Sequence, residues 1–160
     1  MCAVALVFGL GGVRINVTPS EPLGLWRIRP LDRAVAIGDL VFICPSTNDI
    51  MREAYRRGYL RRGLCAGARA PLIKTVMATS GQVVETGSRV HIDGKPLPCS
   101  QIALKDGRGR TVAVYGGGVV PPETVYLHSC FQGSYDSRYF GPLPAGNILG
   151  LAQKVWTHGQ

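Results

Sequence analysis

The stretch PLIKTVMAT (residues 71–79) decides the fold class of this 160-residue chain. It is short and mostly apolar, opened by Pro71 and followed by Ser80-Gly81, the pattern of a strand between turns. Alternation along a strand sets Leu72, Lys74, Val76 and Ala78 on one face. The same pattern recurs on both sides. DLVFIC (39–44) lies between Gly38 and Pro45. GQVVETGSRVHIDGKPLP (81–98) holds two strands joined near Gly87, then a hairpin signal at Asp93-Gly94. TVAVYGG (111–117), ETVYLHS (123–129) and GNILGLAQKVW (146–156) read as further strands, and residues 15–30 as a turn-rich lead with one extended piece, LWRI. One segment breaks the pattern. From Asn48 to Arg57, Ile50, Met51, Ala54 and Tyr55 recur at helical spacing, with Thr47 or Asn48 to cap the start and Gly58 or Gly63 to end it. With 21 glycines and 11 prolines and no repeat or linker, the sequence predicts one mainly β domain with one short helix around 48–57.

Net charge is +8, and much of it lies in MREAYRRGYLRRG (51–63). A basic face of this kind meets nucleic acid or anionic lipid headgroups, or is simply a solvated helix face. Zinc-finger spacing, a phosphate-binding loop and an RNA-binding signature are all missing, which argues against a specific nucleic-acid partner. The five cysteines, Cys2, Cys44, Cys65, Cys99 and Cys130, form no C-x-x-C pair, so neither a zinc site nor a thioredoxin-like centre is indicated. Cys2 lies in an apolar run. The other four make two disulfides in an oxidising compartment, with three possible connectivities, or remain four buried thiols in a reducing one. The run CAVALVFGLGGV (2–13) is shorter than the roughly 20 residues of a membrane span and lacks the basic start of a signal peptide. It is either a first buried strand or the end of an export segment.

Three places can carry chemistry. Lys74, inside an apolar strand, sits either at a sheet edge with its tip in water or in a desolvated site. Desolvation disfavours the ammonium and makes a lysine able to take a hydroxyl proton near neutral pH. Ser20 lies in NVTPSEPLGLWRI (16–28), where Pro19 and Pro22 fix φ on either side of it. A serine is a poor nucleophile until a base holds its proton, and a serine–lysine pair is one solution. Asp136 and Arg138, in GSYDSRYFGPL (133–143), stand two apart and can pair. The histidines His91, His128 and His158 are no better placed as bases. HSC (128–130) also offers a Cys130–His128 pair, since residues two apart on a strand point the same way.

Taken together, TPSEPLGLWRI (18–28), PLIKTVMATSG (71–81) and SYDSRYFGPL (134–143) resemble the three signature blocks of the conjugative-transfer, TraF-type branch of the type I signal peptidase family. The likeness spans about residues 16 to 150, and the third block is its most specific part. PLGLW selects the conjugative branch; Glu21 stands where ordinary signal peptidases carry methionine. Thr75, Gln82 and HSC (128–130) also depart from the usual residues.

The resemblance implies a signal-peptidase-like antiparallel β-sheet fold. Residues 1–14 would be the remnant of an export or membrane segment and 15–160 a single serine–lysine peptidase domain. It implies that Ser20 is the nucleophile, Lys74 the general base and Asp136 a supporting acid held by Arg138. Ser134 would hydrogen-bond the base. Thr18, with the Ser20 N–H, would form the oxyanion hole. No cofactor or metal is implied. The implied substrate is a pilin precursor, hydrolysed or joined head to tail, with the inner-membrane surface and other mating-pair-formation components as partners. The implied place is the periplasm, at the outer face of the inner membrane. That compartment favours disulfides, of which Cys44–Cys65 would bracket the helix. The alternative is a non-catalytic periplasmic assembly factor of the same apparatus.

Overall fold

A computed structural model describes residues 12–157. The apolar run up to residue 11, with Cys2, and His158 lie outside the described residues. Twelve strands are assigned: β1 (Val13–Asn16), β2 (Gly24–Arg29), β3 (Leu40–Ile43), β4 (Arg62–Cys65), β5 (Leu72–Thr79), β6 (Val83–Thr86), β7 (Val90–Ile92), β8 (Lys95–Pro96), β9 (Gly118–Val119), β10 (Thr124–His128), β11 (Leu143–Pro144) and β12 (Ile148–Thr157). Among the described residues two α-helices, α1 (Asp49–Arg56) and α2 (Ser137–Phe140), interrupt them. Seven strands form an antiparallel sheet in the order β1-β2-β12-β3-β5-β10-β11, and four form a smaller one in the order β8-β7-β6-β9. Among the described residues the architecture is mainly β with one helix of more than a single turn, as the sequence predicts.

Alternation builds the core. In β3, Val41 and Ile43 face one way and pack with Met51 and Ala54 of α1, Val76 of β5 and Leu127 of β10. Phe42 faces the other way and packs with Trp26 and Ile73. A third cluster, with Val84, Val90, Val120 and Tyr126, lies between the two sheets. Helix α1 starts where Asn48 Oδ1 accepts from Met51 N at 3.0 Å and stops at Gly58, whose φ is +83°. Its cations are paired along its own surface: Arg52 with Asp49, and Arg56 and Arg57 with Glu53. A disulfide from Cys44, just after β3, to Cys65, at the end of β4, clasps the segment that carries α1. A second joins Cys99 to Cys130.

The structure differs from the sequence reading at TVAVYGG, at residues 13–16 and at β4, which the sequence reading does not assign. TVAVYGG is not a strand. Thr111 forms one isolated bridge with Lys105, Val112 N donates to Leu104 O and Tyr115 N to Arg138 O, bonds to two different segments instead of one ladder, and the strand that follows, Gly118–Val119, pairs with β6. Residues 13–16 are a strand, too short to show a period. Gln82, which departs from the family pattern, closes the turn after β5: its Oε1 accepts from Thr79 N at 2.9 Å and its Nε2 donates to Asp93 at 2.8 Å.

Candidate active site

β1 and β2 pair antiparallel with Asn16 opposite Gly24, so residues 17–23, VTPSEPL, are the loop of a hairpin, and Ser20 sits in it. Asn16 organises this loop. Its Nδ2 donates to the carbonyls of Thr18 (3.0 Å), Glu21 (2.8 Å) and Pro22 (3.1 Å). Its Oδ1 accepts from the Thr18 N–H at 3.0 Å and the Thr18 hydroxyl at 2.7 Å. Three carbonyls around Nδ2 fix the amide's orientation, so the Thr18 hydroxyl is the donor in that contact. Trp26 Nε1 donates to Pro22 O at 2.9 Å. From across the molecule, Ser129 Oγ donates to Ser20 O at 2.5 Å. The loop leaves through Gly24 at φ +142°, where a Cβ would lie 2.2 Å from Trp156 O. That approach lets β2 and β12 pair, and no side chain is tolerated there.

Ser20, Thr18, Lys74 and Ser134 line one open cleft of about 360 Å³, with Tyr59 and Tyr135 among its other walls. Lys74 comes from β5, which lies between β3 and β10, so it is not at an edge. Its neighbours on the same strand face, Leu72 and Val76, belong to the main core cluster, and only 3 % of Lys74 remains exposed. Burial drives its pKa down to about 8; Asp136 and Glu21 pull it back up and Arg138 adds to the fall. Glu21, half-buried beside the nucleophile turn, is shifted up by its burial, against Lys74 and Lys154. The Ser20 hydroxyl, the Ser20 N–H and Lys74 Nζ form no hydrogen bonds among the described residues, so all three are available to a ligand in the cleft.

Behind this wall lies a buried charged network. Asp136 and Arg138 are both fully buried. Arg138 Nε donates to Asp136 Oδ1 at 2.8 Å and a terminal nitrogen to Oδ2 at 2.9 Å, a two-pronged pairing. Arg138 also donates to Gln101 O and Ser134 O. Asp136 caps α2, accepting from Arg138 N. His128 joins through Nδ1, 3.2 Å from Asp136 Oδ2, while its Nε2 faces Pro98 O at 3.1 Å. Burial works against the Asp136 charge, but the His128 and Arg138 contacts outweigh it and hold the carboxyl below its ordinary range.

The structure therefore gathers Ser20, Lys74, Thr18 and Ser134 around one cleft and sets Asp136 and Arg138 behind it. The anticipated Ser134–Lys74 hydrogen bond is not formed; Ser134 Oγ is buried without a partner among the described residues. Thr18 reaches the cleft with its hydroxyl hydrogen turned to Asn16. Cys44–Cys65 borders a neighbouring hollow instead. The Cys130–His128 nucleophile pair is ruled out in this structure, because Cys130 is bonded to Cys99 and His128 faces Asp136. Sequence reading missed Asn16 and Ser129, whereas the Cys99–Cys130 bridge is the second disulfide that four paired cysteines leave once Cys44 and Cys65 are joined. Asn16 carries a local signal, a side chain able to close an Asx turn just before a proline turn. Ser129 carries none, since its contact with Ser20 spans 109 positions. Among the described residues no group of His, Cys, Asp and Glu is arranged to hold a metal.

Residues 1–157 match the family described as signal peptidase, peptidase S26. The chain is 63% identical over 148 residues to a probable conjugal transfer protein TraF of Sinorhizobium fredii, covering 92% of this chain and 79% of that one. It is 59% identical over 147 residues to a conjugal transfer protein TraF of Agrobacterium tumefaciens, covering 92% and 84%. A plasmid transfer protein TraF of Escherichia coli is 30% identical over 154 residues, covering 92% and 85%.

Proposed function

Because this chain belongs to the signal peptidase family, peptidase S26, we propose that it is a serine–lysine endopeptidase of a conjugative transfer system, with Ser20 as nucleophile and Lys74 as general base. The observation that carries the reading is the buried Lys74 opening on the cleft that Ser20 also lines, its ammonium weakened to a pKa of about 8. Near that pH a large share of the amine is neutral and can accept a proton. Lys74 takes the Ser20 hydroxyl proton as Oγ attacks a substrate carbonyl. The Ser20 N–H, on a turn fixed by Asn16 and Ser129, donates to the developing oxyanion; one such donor is worth about 3 kcal/mol of barrier. Lys74 then passes its proton to the leaving amine, and an ester on Ser20 remains. Ser134 Oγ, buried and unpartnered, is the group that receives or orients the lysine. Asp136 acts through its charge, opposing the burial that empties Lys74 of its proton.

The relatives' conjugal-transfer names support a pilin precursor as substrate. Water resolves the ester to a linear product; the pilin's own amino terminus, held at high effective concentration, resolves it to a ring. The two disulfides and the exposed Ile15 and Val17 beside the nucleophile turn support a periplasmic site at the outer face of the inner membrane. There the other mating-pair-formation components are its partners.

The test is mass spectrometry of the pilin precursor from the same transfer system after incubation with the full chain. Processing by the wild type, lost in Ser20→Ala and Lys74→Ala, is the expected result, and a product one water lighter than the trimmed peptide marks ring closure. Wild-type processing by Lys74→Ala protein removes the base assignment. Processing by Ser20→Ala protein removes the nucleophile assignment, and no processing by the wild type leaves a non-catalytic assembly factor.

A further inference from the structure

We infer that Asn16 is the positioning residue of the nucleophile turn, holding the Ser20 hydroxyl and N–H in the one arrangement that reaction requires. The turn cannot hold itself. It is seven residues long, VTPSEPL, too long for a tight hairpin turn, and Pro19 and Pro22 offer no N–H to internal bonds. In place of backbone bonds the loop closes on side chains: Trp26 and Ser129 each hold one carbonyl from outside it, and Asn16 makes the remaining contacts. The five contacts of Asn16 grip it on both sides of Ser20: Thr18 through its N–H, hydroxyl and carbonyl, and Glu21 and Pro22 through their carbonyls. Asn16 is only 8 % exposed, so water does not readily replace these bonds. An amide is needed at this position. Three carbonyls require a donor and the two Thr18 groups require an acceptor, and a carboxylate or a hydroxyl supplies only part of that set. The same contacts occupy the Thr18 hydroxyl, whose hydrogen is turned to Asn16 Oδ1. With Thr18 so engaged, the Ser20 N–H is the donor that the turn itself offers to an oxyanion, and Asn16 aims it.

Because the role presupposes that Ser20 is the nucleophile, the test has a kinetic and a structural arm, both on the full chain. Asn16→Asp preserves size and the acceptor for Thr18 but removes the donors to the three carbonyls; Asn16→Ala removes both. The expected result is a fall in kcat of about 10- to 100-fold, the range in which a nucleophile displaced by about an ångström loses rate. KM should stay within about twofold. Faster hydrogen exchange should appear at residues 17–22 and not in β3 or β5. An unchanged kcat with unchanged exchange overturns the inference. So does a loss of folding throughout the chain in both variants, which makes Asn16 a general structural residue. If the wild type shows no Ser20-dependent cleavage, the peptidase reading falls. Exchange then decides alone: faster exchange confined to 17–22 upholds the clamp, and an unchanged pattern removes it.

Discussion

A lysine ammonium among apolar side chains is costly, and Lys74 makes that cost measurable. Its pKa is about 8 in the folded chain and about 10.4 in an unfolded one. Between these values the unfolded chain binds a proton that the folded chain does not, so stability rises with pH across that window. Below it both states are charged and the full penalty, about 3 kcal/mol, stands. Lys74→Met removes the penalty. The variant should be more stable than the wild type by up to about 3 kcal/mol at pH 6 to 7, the gap closing between about pH 8 and 10.4. Denaturant unfolding of both proteins at pH 7 and pH 10 measures this, and a gap independent of pH removes the buried-ammonium account. The same titration governs rate, so cleavage should rise with pH up to about 8. Asp136→Asn takes away the charge that lifts the Lys74 pKa and leaves Arg138, which lowers it. The rising limb should therefore move to lower pH, and a limb that stays in place argues against Asp136 acting on Lys74. Sequence placed Lys74 on a strand face with Leu72 and Val76, but edge and centre were not separable there. That distinction depends on β3 and β10, which pair with β5 from distant parts of the chain.

At the scale of elements, what was legible was what is locally determined. β3, β5, β10, β12 and α1 carry their own periods and caps, and their bounds fall within a residue or two of the sequence reading. β1 exists because Asn16 closes a hairpin onto β2, and TVAVYGG fails as a strand because, past one bridge from Thr111 to Lys105, its backbone bonds go to separate segments. The three signature blocks could be read through family resemblance. Their joining could not, because Ser129 reaches Ser20 across 109 positions of the chain. The two disulfides consequently do different work. Cys44–Cys65 closes a loop of 21 positions around α1, worth about 3 kcal/mol in chain-entropy terms. Cys99–Cys130 adjoins Ser129, which holds the Ser20 carbonyl, and Phe131–Ser134, which lines the cleft. Cys44→Ser with Cys65→Ser should lower stability by about that amount and leave kcat near wild type. Cys99→Ser with Cys130→Ser should lower kcat about tenfold or more, because the anchor of the nucleophile turn is freed. Unfolding curves and cleavage rates on the two double variants separate these effects. Equal effects of both on kcat would mean that the second bridge has no special link to the site.

At the scale of the whole molecule, charge and exposed apolar surface converge on one side. A second hollow of about 420 Å³ adjoins the cleft, sharing Thr18, Arg61 and Pro71 with it, and is also lined by Arg14, Arg62, Ile15, Val17 and Leu64. Ile15 and Val17 are each 63 % exposed and Leu64 94 %. Arg61 and Arg62 form no ion pairs among the described residues, unlike the helix cations Arg52, Arg56 and Arg57. The basic segment that reads as one cluster in sequence is thus two in space: a helix whose three cations are ion-paired with Asp49 and Glu53, and two arginines outside any ion pair among the described residues, beside apolar side chains. No helix among the described residues is long and apolar enough to cross a membrane. Contact of this face with a lipid surface would combine apolar burial with attraction to anionic headgroups, each cation contributing about 1 kcal/mol. The full chain should therefore float with vesicles containing phosphatidylglycerol more than with purely zwitterionic ones, and salt should weaken that preference. Arg61→Gln with Arg62→Gln should lower affinity for the anionic vesicles about 30-fold, with little change on zwitterionic ones, where only Ile15, Val17 and Leu64 act. Equal binding to both vesicle types, or no effect of the double substitution, would place the lipid-facing surface elsewhere on the molecule and leave this hollow to the substrate alone.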